Sequence, residues 1–187
     1  MKRWIVIAAV LALAACGRTP VAQKLDRFNT VPAFKLTAET GKPFDSTEEL
    51  AGKVWIADFI YTTCPGPCPL MSTWMASIQR KLADVPDIRL VSFTVNPAVD
   101  TPEVLADYAK RYRAQPGRWF FLTGPRETLN DLNRNAFQLG NVDGSLTHST
   151  RFVLVDRTGT VRGYYLSSEH EKMQQLVADA RRLATEG

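Results

Sequence analysis

Long apolar runs are missing from this sequence: the stretch from Trp4 to Ala15, behind Lys2 and Arg3, falls short of the roughly 20 residues a membrane-spanning helix takes, and reads as an export signal. A strong charge of one sign is missing too. There are 23 basic and 19 acidic residues, and two of the basic ones, Lys2 and Arg3, belong to that leader, so the remainder is nearly balanced. No basic stripe with interleaved aromatics occurs, which removes the electrostatic footprint of nucleic-acid binding. Internal repeats and low-complexity segments are absent, and the chain beyond the leader has the length of one domain with a single sizeable core. Histidine is scarce: His148 and His170 are the only two.

The leader ends in Leu13-Ala14-Ala15-Cys16-Gly17, which resembles the lipobox of bacterial lipoproteins. That resemblance implies that Cys16 is acylated and becomes the first residue of the mature chain, so it is an anchor rather than a working thiol. Residues 1–15 are then a lipoprotein signal peptide, 16–30 a polar membrane tether and 31–187 the folded domain. The expected location is the periplasmic side of a bacterial membrane, where disulfides persist.

Within the domain, hydrophobic periodicity sets the order of elements. Residues 34–36 and 44, around Gly41, predict a short hairpin, and the unbroken apolar run 53–60 predicts a strand buried on both faces. Leu70, Met71, Trp74, Met75, Ile78 and Leu82 recur at helical spacing after Pro69. Further strands are expected at 89–95, 119–122, 151–155 and 161–165, and helices at 102–112, with Thr101 as N-cap, at 125–137 and at 169–183. The βαβ units imply a parallel core, and the late hairpin adds antiparallel strands: an α/β domain with a central mixed sheet flanked by helices.

The chemistry concentrates in Cys64-Pro65-Gly66-Pro67-Cys68-Pro69, where the buried strand runs into the first long helix. Loops at the carboxyl ends of parallel strands carry the sites of α/β sheets, and a helix start stabilises thiolates, so both cysteines are expected to be more acidic than a free thiol. Three intervening residues permit two sulfurs to converge on one ion, or to bond if their α-carbons come within about 7 Å, and spacing alone does not choose. A metal would need a third donor. His148, in a turn-rich loop before a strand, is the candidate; His170, between Glu169 and Glu171, is expected to be a solvated surface residue. Two thiolates and an imidazole favour copper or zinc over magnesium or calcium, and the donors by themselves do not separate the first two. Met71 and Met75 share the face of Leu70, Trp74 and Ile78 and read as core, and Tyr61 reads as packing at a strand end or, in the alternative, as a gatekeeper near the thiols. Asp58, inside an apolar strand, must be at an edge, paired or functional.

Residues 58–69, Asp58-Phe59-Ile60-Tyr61-Thr62-Thr63-Cys64-Pro65-Gly66-Pro67-Cys68-Pro69, resemble the signature of the Sco/SenC family. Residues 91–105, with Asn96-Pro97-Ala98-Val99-Asp100-Thr101-Pro102, resemble its second motif, and His148 ahead of Arg151-Phe152-Val153-Leu154-Val155-Asp156 resembles its third ligand. The resemblance implies a thioredoxin-like fold with an added N-terminal β-hairpin. It implies copper, as Cu(I) and in principle Cu(II), held by Cys64, Cys68 and His148, and a role in assembling the copper centre of cytochrome c oxidase. Two departures stand out: Asn96 replaces the family's usual aspartate, and the Pro65-Gly66-Pro67 insert is unusually stiff.

Two functions are expected on these grounds. The first is a metallochaperone that takes copper from a donor protein and delivers it to, or prepares, the copper-site subunit of cytochrome c oxidase or another exported cuproprotein. The second is a thiol-disulfide oxidoreductase in which Cys64 and Cys68 form a redox-active pair that reduces client cysteines. A peroxiredoxin-type peroxidase lacks support, since no Pro-x-x-x-Thr-x-x-Cys arrangement ends at Cys64.

Overall fold

The computed structural model describes residues 24–140 and 149–185. Cys16 and His148 therefore lie outside the described residues, as do the signal peptide and the first part of the tether. In chain order the elements are β1 (Lys35–Ala38), β2 (Pro43–Asp45), α1 (Ser46–Glu49), β3 (Val54–Ile60), α2 (Pro67–Lys81), β4 (Ile88–Thr94), α3 (Pro102–Arg111), β5 (Trp119–Thr123), α4 (Arg126–Asp131), β6 (Arg151–Val155), β7 (Val161–Leu166) and α5 (His170–Thr185).

The strands form one sheet in the order β2-β1-β5-β4-β3-β6-β7. β3, β4 and β5 are parallel, joined by crossovers through α2 and α3, while β1, β2, β6 and β7 pair antiparallel. The N-terminal hairpin is thus an addition on the β5 side, as expected from the resemblance, and the fold is the thioredoxin-like mixed sheet.

Strand alternation divides the core into two layers. Val54, Ile56 and Ile60 of β3 point to the side covered by α2, α3 and α5, where Met71, Met75, Ile78, Leu105, Tyr108, Met173 and Leu176 are buried. Trp55, Ala57 and Phe59 point to the other side, filled by Phe34, Phe44, Phe93, Leu129 and Phe137. Met71 and Met75 are fully buried core residues.

Three local findings differ from the sequence expectations. The helix expected at 125–137 changes winding: after α4, residues Leu132–Ala136 are π-helical, and the Phe137 N–H reaches the Leu132 carbonyl at 2.9 Å. The wider turn carries Phe137 into a cluster with Trp55, Phe59 and Phe93, at ring-centre distances of 5.8, 5.6 and 5.6 Å. Secondly, α1 is a single turn made by Asp45, whose Oδ1 accepts the Thr47 N–H at 2.9 Å, a cap no hydrophobic periodicity announces. Thirdly, residues 24–30, expected as part of a free tether, are docked. Phe28 N–H donates to the Val161 carbonyl at 2.9 Å and Val161 N–H to that of Asn29 at 2.8 Å, while the Arg162 guanidinium holds the carbonyls of Leu25 and Asp26. β7 is the last strand of the sheet, and its open backbone groups take this segment as a partner.

Candidate metal centre

β3 leaves the sheet at Ile60, whose carbonyl accepts the Val95 N–H at 2.8 Å, and the chain then turns through residues 61–66 into α2. Pro67 stands at the first helical position, where a missing N–H costs nothing, so the helix begins two residues before the expected start at Pro69. Cys68 is consequently inside the first turn. Its side chain is completely buried, and Cys64, on the loop above it, is 8% exposed. Both are thiols in this structure rather than a disulfide.

The two thiols sit in different electrostatic surroundings. Burial pushes Cys64 up, but the Cys68 thiol, the backbone N–H groups of Cys68 and Gly66 and the Tyr61 hydroxyl all turn towards its sulfur, and together they bring it below the usual thiol range. Cys68 moves the other way. Burial comes first, and hydrogen bonding to Cys64 adds to it, so its proton is held well above the usual range. The expectation of two acidic thiols therefore holds for Cys64 and fails for Cys68, because the helix start that favours a thiolate is here covered by core side chains. Tyr61 is raised chiefly by its bond to Cys64, which places the hydroxyl as a donor to that sulfur. It is more than packing at a strand end.

Asp58 lies beneath this loop, completely buried, with Oδ1 accepting the Ser92 hydroxyl at 2.6 Å; Ser92 in turn accepts the Trp119 indole N–H at 3.0 Å. Its Oδ2 is buried without a hydrogen-bond partner, and burial, only partly offset by Ser92, pushes this carboxyl up to about 7. Asp58 faces the cysteine layer, since its charge contributes to raising Cys68.

A second buried carboxylate, Asp100, was not singled out by sequence reasoning. It accepts the Thr62 N–H at 3.2 Å, the Thr62 hydroxyl at 2.5 Å and the Thr94 hydroxyl at 2.5 Å. Its position directly before the Thr101-Pro102 helix start was the available signal, but it reads as an ordinary turn residue. Asn96, half-buried in the same loop, donates its N–H to the Thr94 hydroxyl at 2.9 Å.

The cysteines are brought together; of the two histidines, only His170 is among the described residues. His170 is exposed at the start of α5, its ring 5.2 Å from that of Trp74 and its Nε2 2.7 Å from the Gln174 amide nitrogen. β6 runs antiparallel to β3 with Ala57 opposite Val153, so Ser149 and Thr150 enter the sheet at the end where β3 runs out towards Cys64. Among the described residues no group of three or more His, Cys, Asp or Glu side chains forms a metal-holding cluster, and the described donors are the two sulfurs. Two soft, convergent sulfurs beside a helix start fit a soft ion such as Cu(I).

Comparison with known proteins agrees with this arrangement. The SCO1/SenC family model matches residues 22–185. A curated relative, a putative copper-binding protein of Stutzerimonas stutzeri, is 34% identical over 152 residues, covering 75% of this chain and 71% of its own. Among solved structures, a SCO1/SenC family lipoprotein from Bacillus anthracis is 32% identical with a TM-score of 0.76, over 84% of this chain and 97% of that one. BsSco, described as having a disulfide switch and as a member of the Sco family of cytochrome c oxidase assembly proteins, has the same identity and TM-score over 88% and 99%. This chain belongs to the SCO1/SenC family.

Proposed function

We propose that this protein is a copper carrier of the periplasmic side of a bacterial membrane, anchored through Cys16, which holds copper on Cys64, Cys68 and His148. It receives the ion from a donor protein and passes it to the copper-site subunit of cytochrome c oxidase or to another exported cuproprotein. The observation that carries the reading is the meeting of the two sulfurs, hydrogen-bonded to one another, at the buried start of α2. Supporting it are the entry of β6, which begins three residues after His148 in the chain, at that same end of the sheet, and the copper-binding and oxidase-assembly descriptions of the relatives. No described helix is long and apolar enough to cross a membrane, and the lipoprotein description of the Bacillus anthracis relative supports attachment by lipid.

Copper here is cargo. Cu(I) is content with few soft ligands, so the two thiolates carry its affinity, and His148 matters more for Cu(II), which takes nitrogen readily. Tyr61 and the N–H groups of Gly66 and Cys68 hold Cys64 ready for deprotonation, whereas Cys68 gives up its proton only to an ion that replaces it.

The unequal thiols favour a second role for the same site. Cys64, the more exposed of the pair and the more acidic, suits attack on a client disulfide, and a completely buried Cys68 suits resolution of the mixed disulfide, which is the division of labour of a thiol-disulfide oxidoreductase. Anaerobic titration of the reduced protein with Cu(I), Cu(II) and Zn(II), in competition with a strong chelator, tests the carrier. Cys64→Ser and Cys68→Ser should each abolish tight Cu(I) binding and His148→Ala should mainly weaken Cu(II). Unchanged Cu(I) affinity in either serine variant sinks the site.

A further inference from the structure

We infer that Asp100 is a positioning residue for the cysteine pair: its carboxylate clamps the loop that carries Cys64 to the end of β4 and thereby sets how readily the two sulfurs bond. The inference rests on the reading of Cys64 and Cys68 as the working dithiol, though not on copper as the cargo.

Asp100 is completely buried and its oxygens collect donors from two separate loops. Thr62, two residues before Cys64, donates both its N–H and its hydroxyl, at 3.2 and 2.5 Å; Thr94, the last residue of β4, donates its hydroxyl at 2.5 Å. Thr94 also accepts the Asn96 N–H at 2.9 Å, and the Asp100 N–H returns to the Asn96 carbonyl at 2.9 Å, which closes the 94–100 loop on itself. The cysteine loop is thus fastened to a loop that is already rigid. Helix capping does not account for the carboxylate, because the α3 cap is Thr101, whose Oγ1 accepts the Val104 N–H at 3.4 Å. Packing does not account for it either, since an apolar side chain fills a core without the desolvation a buried carboxylate incurs. What the carboxylate supplies is acceptors for three donors, the Thr62 N–H and the Thr62 and Thr94 hydroxyls.

The consequence falls on the sulfurs. Past Thr62 the chain has only Thr63 before Cys64, and Pro65-Gly66-Pro67 joins Cys64 to the helix that holds Cys68. With one end of the bend fixed by the clamp and the other by α2, each sulfur is presented to the other at a high effective concentration. In glutathione buffer the two thiols surrender two protons and two electrons as the Cys64–Cys68 bond forms, and the disulfide bond of oxidised glutathione breaks to give two molecules of reduced glutathione. Loosening the clamp lowers the effective concentration and makes the protein disulfide easier to reduce.

The test is that equilibrium, measured on the whole soluble domain by counting alkylatable thiols across glutathione ratios. Asp100→Asn should move it towards the dithiol by about tenfold or more, a rise of about 30 mV in potential. Because a change at a buried carboxylate also endangers folding, Thr62→Val, which removes one donor and leaves Asp100 in place, should move it in the same direction. Thr101→Ala, which removes only the α3 cap, should lower the melting temperature and leave the equilibrium within twofold. Equilibria within twofold of the parent in both Asp100→Asn and Thr62→Val, whatever their melting temperatures, would overturn the inference. If the parent itself forms no Cys64–Cys68 disulfide, the dithiol reading fails separately. The alkylation rate of Cys64 in the reduced protein then decides about Asp100: a rise of about tenfold or more in the two variants upholds the clamp, and an unchanged rate ends it.

Discussion

The two layers packed on either face of the sheet are built from different materials. One centres on interlocked aromatic rings: Phe34, Phe44, Trp55, Phe59, Phe93 and Phe137 meet through edge and stacked contacts such as Phe59–Phe93 at 5.0 Å. The other, under α2, α3 and α5, mixes aliphatic side chains, methionine and the rings of Tyr108, Trp119, Phe121 and Phe152 with Cys64 and Cys68, and on its side Asp58 faces Cys68 with a buried, unpartnered oxygen. Burying aromatic rings is favourable throughout, whereas burying a carboxyl is unfavourable unless its partners are complete. The comparison teaches that the two cysteines and Asp58 share one face of the sheet, where burial and hydrogen bonding hold them in uncommon protonation states.

The largest effect that would break this contrast belongs to the aromatic layer. Phe137→Ala should cost about 3–5 kcal/mol in denaturant unfolding, the range for truncating a fully buried aromatic, while Cys64 keeps its alkylation rate in the folded protein. A changed rate would mean that the two layers are coupled.

Asp58 sharpens the contrast from the other side. Its folded value of about 7 lies above the ordinary 3.8, so the folded state keeps a proton that the unfolded chain releases. The contribution of Asp58 to stability should therefore be full below about pH 4, fall as pH rises through the window to about 7, and be lost above it. A displacement of roughly three pH units corresponds to at most about 4 kcal/mol. Asp58→Asn should flatten that part of the profile in chemical denaturation at successive pH values, and an identical slope in the variant would contradict the assignment.

Within the mixed layer, the reduced protein should show two distinct thiols. Iodoacetamide at neutral pH should modify Cys64 at least about tenfold faster than Cys68, since only the thiolate reacts and Cys68 is both covered and held protonated. Peptide mapping after brief exposure reads the ratio, and equal labelling would remove the asymmetry on which the exchanger role depends. The smallest effect is expected at the surface: Leu70, 48% exposed on the first turns of α2, should tolerate serine within about 0.5 kcal/mol. A larger loss in thermal unfolding would show that the rim of the site is packed more tightly than its exposure implies.

Sequence periodicity was a reliable guide where burial alone decides structure. β3 is legible in the run 53–60 because helices cover both faces of its sheet, and α2 is legible because its apolar residues repeat every third or fourth position. The pairing of Cys64 with Cys68 is legible for a similar reason, as both fall in one short segment between those two elements. The docking of residues 24–30 was hidden because the segment offers β7 and Arg162 mainly its backbone N–H and carbonyl groups, which are common to every sequence. The π-helical turn before Phe137 was hidden because it answers to the shape of the cavity between Trp55, Phe59 and Phe93.

By itself the sequence determined the order of the strands and of the longer helices, the family, and which side chains have the chemistry to hold a soft metal, since each comes from residue identity or from spacing along one segment. Only the tertiary structure decided how those side chains behave. Asp100 and Thr62 are 38 positions apart and Asp58 and Ser92 are 34 apart, yet strand pairing between β3 and β4 makes them neighbours. The opposed shifts of Cys64 and Cys68 arise in the same way, because desolvation and hydrogen bonding depend on what surrounds a thiol in space, and those surroundings come into being only when the sheet and its helices close over the loop.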